Sequence, residues 1–175
     1  MEPNWQPKTL QNERIQFFPL EESHFEELYA VANDELLWEQ HPNKLRYQRD
    51  AFQNFFDGAL LSKGAFLIRN KESNEVIGSS RFYDYDEKTS TVLIGYTFIG
   101  RQFWGKGYNS DLKKVMLDYA FQFVDKVQFH VGATNIRSQK SIEKIGVKKI
   151  AELEVAYHGE PSKMNFVYEI TKYND

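Results

Sequence analysis

The sequence contains no cysteine, which excludes disulfides, thiolate nucleophiles and cysteine-ligated zinc. That absence suits a reducing compartment, and a cytoplasmic location is the expectation. No apolar run approaches the ~20 residues that a membrane-spanning helix needs, so no membrane role is expected. The opening Met1-Glu2-Pro3-Asn4-Trp5-Gln6 lacks the charged and apolar regions of a signal peptide. Repeats, linkers and low-complexity tracts are missing too. An excess of positive charge is also lacking: 22 Lys+Arg face 25 Asp+Glu, a net charge of -3. That argues against general nucleic-acid binding. Aromatics, in contrast, are plentiful, with 14 Phe, 10 Tyr and 3 Trp among 175 residues. This is enough for one domain over residues 1–175, with 1–13 as a polar extended arm. Such a domain buries about two-thirds of its unfolded surface.

The charge is distributed unevenly. Residues 101–150 carry ten basic side chains (Arg101, Lys106, Lys113, Lys114, Lys126, Arg137, Lys140, Lys144, Lys148 and Lys149) and four acidic ones (Asp111, Asp118, Asp125 and Glu143). The stretch is therefore +6, and the remaining 125 residues are -9. A basic segment in an acidic chain fits a compact polyanionic ligand, or else a solvated lysine-rich face.

Hydrophobic periodicity gives the order β-α-α-β-β-β-α-β-α-β-β. Arg14 to Phe18 reads as a strand ended by Pro19. Ser23-x-x-Glu26 forms a possible capping box before Phe25, Leu28, Tyr29 and Ala32, which share a helical face. Phe52, Phe55, Phe56 and Ala59 repeat that spacing, with Gly64 beyond the helix end. Ala65 to Ile68, Val76-Ile77 and Thr91 to Ile99 read as strands. Leu112, Val115, Met116, Tyr119, Ala120 and Phe123 mark a third helix. Val127 to Val131 is a strand, and Ser138 to Lys144 a short helix closed by Gly146 in a left-handed cap. Lys148 to Tyr157 and Lys163 to Thr171 form an antiparallel pair turned at His158-Gly159-Glu160-Pro161. Interleaved helices and strands imply an α/β fold, a mixed sheet covered on both faces.

Gly105 and Gly107 lie between a strand and a helix. Glycine allows close approach to the main chain, and a helix start presents unpaired N–H groups that favour an anion such as phosphate. Lys106 and Arg101 add charge. A plain strand-to-helix turn is the alternative, and the spacing matches neither a Walker loop nor a dinucleotide fingerprint.

Gln102-x-x-Gly105-x-Gly107 resembles the Q/R-x-x-G-x-G/A signature of the GCN5-related N-acetyltransferases (the GNAT superfamily). Asn135-Ile-Arg-Ser138-Gln-Lys-Ser-Ile-Glu143-Lys144-Ile-Gly146 is similar to the N-x-x-S…E-K-x-G segment of its RimJ/RimL-like branch. Ile94-Gly95-Tyr96, Trp104-Gly-Lys-Gly-Tyr108, Tyr119-Ala120-Phe121 and Leu10 to Tyr29 resemble that branch as well, so the likeness spans nearly the whole chain.

The resemblance implies a central mixed, mostly antiparallel sheet of about six or seven strands. Acetyl-CoA would lie where the Thr91–Ile99 and Val127–Ala133 strands splay apart. Backbone groups at Phe98 and Ile99 would pair with the pantetheine arm, and one N–H there would polarise the thioester carbonyl. Main-chain N–H groups across Gln102, Phe103, Trp104, Gly105, Lys106, Gly107, Tyr108 and Asn109 would hold the pyrophosphate. Asn135 would bond the pantetheine, its alternative being an ordinary turn residue. No metal is implied.

The family's chemistry is direct acetyl transfer to an amine, helped by a base and an acid. Both usual positions depart from the pattern: Ile142 stands where many members carry an acidic Tyr, and Leu93 where relatives carry a Glu. Ser138 is the matched hydroxyl for protonating the thiolate, or a helix N-cap. Asp84, Asp86, His130 and His41 are the substitute candidates for the base, alongside a water relay. The acceptor side would be lined by Trp38 to Tyr47, the loop after Phe82 and the Tyr157–Pro161 turn, where Glu39, Asp84, Asp86 and Glu160 would attract a cationic amine.

The expected function is therefore N-acetylation of a primary amine, on a small molecule or a protein N-terminus, by a monomer or homodimer. A non-catalytic acyl-CoA-binding module is the alternative, motivated by Ile142 and Leu93. An interaction domain without affinity for CoA is a third reading. Turnover with an amine separates the first from the second.

Overall fold

The computed structural model describes residues 2–156 and 159–172. Seven strands form one sheet in the order β1-β2-β3-β4-β5-β7-β6. They are β1 (Ile15–Pro19), β2 (Ala65–Asn70), β3 (Val76–Asp86), β4 (Thr91–Ile99), β5 (Lys126–Gly132), β6 (Lys148–Val155) and β7 (Lys163–Thr171). All pairings are antiparallel except that of β4 with β5. The helices are α1 (Phe25–Ala32), α2 (Arg49–Ser62), α3 (Tyr108–Ala120) and α4 (Ile136–Glu143). This is the element order that the periodicity predicts.

Two apolar clusters sandwich the sheet. On one face Leu112 and Met116 of α3 and Ile142 of α4 pack on Ile68, Phe82, Ile94 and Phe129. On the other, Leu28 of α1 and Phe52, Phe55 and Phe56 of α2 pack on Leu67 and Phe98. Alternation along the strands feeds both faces, because successive side chains point to opposite sides.

The structure corrects several local expectations. The arm, over its described residues 2–13, is a strap on the core rather than a polar extension. Trp5 is buried, its ring 5.0 Å from Phe82 and 5.5 Å from Tyr85. Gln6 Nε2 donates to the Ala65 carbonyl, and Tyr119 Oη to that of Asn4. The turn into α1 closes earlier than Ser23-x-x-Glu26 suggests. Glu21 is extended and its N–H donates to His24 Nδ1, so the box joins Glu21 and His24. Lys63 takes the left-handed position after α2. Gly64 is needed for packing instead, since a Cβ there would lie 2.0 Å from the Phe82 carbonyl oxygen. Strand β3 runs nine residues beyond Ile77, through the polar stretch Gly78-Ser79-Ser80-Arg81 that hides it from a periodicity reading. Gly146 is left-handed, as its place after α4 predicts. Tyr157 and His158 of the expected hairpin lie outside the described residues.

Candidate active site

Strands β4 and β5 pair only at Thr91–Lys126, Val92–Val127 and Leu93–Gln128. Beyond that point β4 stays with β3 and β5 with β7, so the two separate. A bulge enforces the divergence. Two residues of β4 between Gly95 and Phe98, Tyr96 and Thr97, oppose one of β3 between Ser79 and Arg81, Ser80, and Tyr96 has a φ of 54°. The extra residue switches the faces: Tyr96 and Phe98 pack with α2, while Thr97 turns towards α3. A cleft of about 480 Å³ opens between the strands.

One end of the cleft is the glycine loop. Gly105 (φ 74°) and Gly107 (φ 82°) are both left-handed, and Gly107 caps α3. The first-turn N–H groups of Tyr108, Asn109 and Ser110 have no carbonyl four residues back inside the helix. Trp104, Gly105, Gly107, Tyr108 and Asn109 line the cleft, and so do Phe98, Ile99, Phe103, Asn135 and Ser138. The structure therefore brings most of the sequence-predicted cofactor residues together. Two stand apart. Gln102, in the tight turn Arg101–Phe103, lines a separate depression with Asp34 and Glu75. Lys106 is exposed outside the cleft lining; its contribution to the loop is a carbonyl that accepts from Arg14 Nη2 at 2.8 Å.

Arg14 is a residue that the sequence reading missed. Its guanidinium pairs with Asp111 at 3.1 Å and stacks 4.2 Å from the Tyr108 ring, and Asn70 Nδ2 donates to Tyr108 Oη at 2.6 Å. Arg14, the residue before β1, thus clamps the loop from 92 residues away in sequence. No local pattern signals that contact.

Asn135 caps α4, its side-chain oxygen accepting from the Ser138 N–H at 3.3 Å. This reverses the expectation that Ser138 is the cap, and leaves the Asn135 amide NH₂ and the Ser138 hydroxyl for the cleft. Asn109 Nδ2 donates to Ser141 Oγ, which ties α3 to α4. Trp104 Nε1 donates to the Ile99 carbonyl at 2.8 Å, and Arg137 stacks 4.1 Å above the Trp104 ring. Arg137, Lys140 and Lys144 line one side of the cleft, so part of the basic segment does face it.

The other end of the cleft holds Arg46 and His41. Arg46 is buried and binds Glu160 through two 2.9 Å hydrogen bonds. Glu160 is therefore committed to a cation and is not available to attract an amine. Arg46 Nη1 lies 3.2 Å from His41 Nε2, and the Asn43 N–H donates to His41 Nδ1 at 3.0 Å, so both ring nitrogens are engaged. Burial and the Arg46 charge hold His41 well below the usual histidine range. With Nε2 occupied, His41 is ruled out as the base.

His130 stands differently. It lines the cleft, Nδ1 is buried with no hydrogen-bond partner among the described residues, and its ring meets Tyr83 at 6.4 Å. Burial pushes its pKa down and the Asp84 carboxylate opposes that shift, so the imidazole is neutral at pH 7. Asp84 itself is exposed, held at φ 51° in a second bulge where β3 carries an extra residue, and does not line the cleft. It acts on His130 through its field.

Comparison with known proteins agrees with this geometry. A model of the acetyltransferase (GNAT) domain matches residues 14–148. An uncharacterized N-acetyltransferase of Bacillus licheniformis, p20, is 32% identical over 104 residues, which span 58% of this chain and 58% of that protein. An acetyltransferase of the GNAT family from Bacillus anthracis has a similar structure, with a TM-score of 0.75, 20% identity, and coverage of 94% of this chain and 99% of that one. A spermidine N-acetyltransferase from Vibrio cholerae, solved with CoA and spermine, is similar at a TM-score of 0.66, 16% identity, and coverage of 90% and 95%. Both structural likenesses are likenesses of fold.

Proposed function

The chain belongs to the GNAT acetyltransferase family, and on that premise we propose that it moves an acetyl group from acetyl-CoA to a primary amine. The observation that carries this reading is the cleft between β4 and β5, with left-handed Gly105 and Gly107 at one end and neutral His130 at the other. Acetyl-CoA supplies an activated acetyl thioester. The protein's own groups divide the remaining work. Unpaired N–H groups at the start of α3 and the side chains of Arg137, Lys140 and Lys144 complement phosphates. In this reading the Asn135 amide and the backbone of Phe98 and Ile99 align the pantetheine. His130 takes the proton that the amine must lose, and the Ser138 hydroxyl returns one to the sulfur. The RimJ/RimL-like motifs favour an acceptor that is a protein N-terminus or a small amine, and the polyamine bound by the Vibrio cholerae neighbour is an instance of the latter.

Calorimetric titration with acetyl-CoA, with dephospho-CoA as comparison, tests the cofactor site. Saturation at one per chain and weaker binding of dephospho-CoA are expected. Thiol release with amines, peptide N-termini and polyamines then tests transfer. Binding without turnover on any amine would favour the acyl-CoA-binding alternative, and no binding by the folded protein would end both.

A further inference from the structure

Lys113 is a lysine in an unusual place. It projects from α3 into the splay between β4 and β5, lines the cleft and is only 6% exposed. Nζ donates to Thr97 Oγ1 at 2.8 Å and lies 5.7 Å from the Phe129 ring centre. Thr97 sits at the bulge of β4 and shares a 2.8 Å hydrogen bond with Ser80 Oγ. Phe129 lies on β5 just past the last parallel pair. The amine is thus bracketed by both strands where they separate, and among the described residues no carboxylate pairs with it. Burial alone pushes its pKa down to about 7. A solvent-exposed lysine at that pH is neutral in only about one molecule in a thousand, so Lys113 holds far more of the nucleophilic form. A neutral amine that donates to Thr97 keeps its lone pair free.

We propose that Lys113 is a self-acetylation site, modified in place by an acyl thioester held in the cleft. This rests on the cleft's being an acetyl-CoA site. The Lys113 nitrogen forms a bond to the carbonyl carbon, the C–S bond breaks, and the sulfur leaves as a thiolate that takes up the proton shed by the nitrogen. The product is a neutral amide that occupies the floor of the cleft.

The test is incubation of the full chain with acetyl-CoA and no added amine, followed by peptide mapping by mass spectrometry, with calorimetry on the same sample. One acetyl group on the Lys113 peptide is expected, formed at least about tenfold faster than on any exposed lysine and slowed by excess CoA. The Lys113→Arg variant, shown to be folded by circular dichroism, should gain no group at that position. Saturable binding without acetylation of Lys113 overturns the proposal and leaves the acetyl-CoA reading standing. Labelling that CoA does not slow also overturns it, as bulk chemistry. Failure to bind acetyl-CoA overturns both.

Discussion

At the scale of one side chain, His130 is the group to which the proposed transfer assigns acceptor activation. It is the histidine in the cleft with a ring nitrogen left unbonded by any described residue, whereas His41 is locked by Arg46. His130→Gln should keep acetyl-CoA affinity and lower the maximal rate by about 10²–10⁴, the usual worth of a general base. The wild-type rate should fall at low pH with a midpoint below the ordinary histidine value of ~6.5, because burial lowers the pKa more than Asp84 raises it. Asp84→Asn should move that midpoint lower still. A midpoint unchanged in His130→Gln would give the role to a water relay. Single residues were unevenly legible in the sequence. Gly105, Gly107, Asn135 and Ser138 announced themselves because loop chemistry is local. Arg14, Arg46 and Lys113 did not, because each is defined by partners on other elements or loops of the fold.

Individual elements were legible where apolar residues keep a period, and illegible where polar residues are buried. The β3 stretch Ser79-Ser80-Arg81 falls outside the Val76-Ile77 strand that periodicity marks, yet all three are buried: Ser79 Oγ donates to the Phe66 carbonyl, and Arg81 stacks 3.6 Å from the Tyr96 ring. The glycine loop is the opposite case, since its backbone requirement shows in the residue type. Gly107→Val would force a branched side chain to a φ of 82° at the cap of α3. The cost is about 1–3 kcal/mol of stability, and the loop amides would lose their aim. A folded protein with acetyl-CoA affinity reduced at least about tenfold is expected by calorimetry, and unchanged affinity would remove the phosphate role from this loop. The N-terminal strap makes a stability prediction without a binding one. Trp5 touches Phe82, Tyr85, Tyr119 and Phe123, so Trp5→Ala should cost about 3–5 kcal/mol in a denaturant titration. It should barely change acetyl-CoA affinity, because none of these residues lines the cleft.

For the whole molecule, the layered sheet is the ordinary part and the cleft holds the concession in stability. The outer strand β6 presents Lys148, Lys149, Glu152 and Glu154, all exposed, which discourages pairing along that edge. Inside, Lys113 lines the cleft with Ile94 and Phe129 and has no counter-ion among the described residues. Lys140 and Lys144, on the rim of the same cleft, can only add to its cost when charged. Its folded pKa is about 7, against about 10.4 in an unfolded chain. Between those values the unfolded state holds more protons, so this group's contribution to stability rises with pH across that window and is at its worst below pH 7. Lys113→Met keeps the length and removes the penalty. Thr97 retains Ser80 as a partner, so no hydroxyl is orphaned. The variant should therefore be more stable than the wild type by about 1–4 kcal/mol at pH 6, and the difference should shrink steadily towards pH 10. Other titrating groups are common to both proteins and cancel in the comparison. Paired thermal melts at pH 6 and pH 9 decide the matter: a gain that is equal at both would mean that Lys113 sits in its cleft without an electrostatic cost.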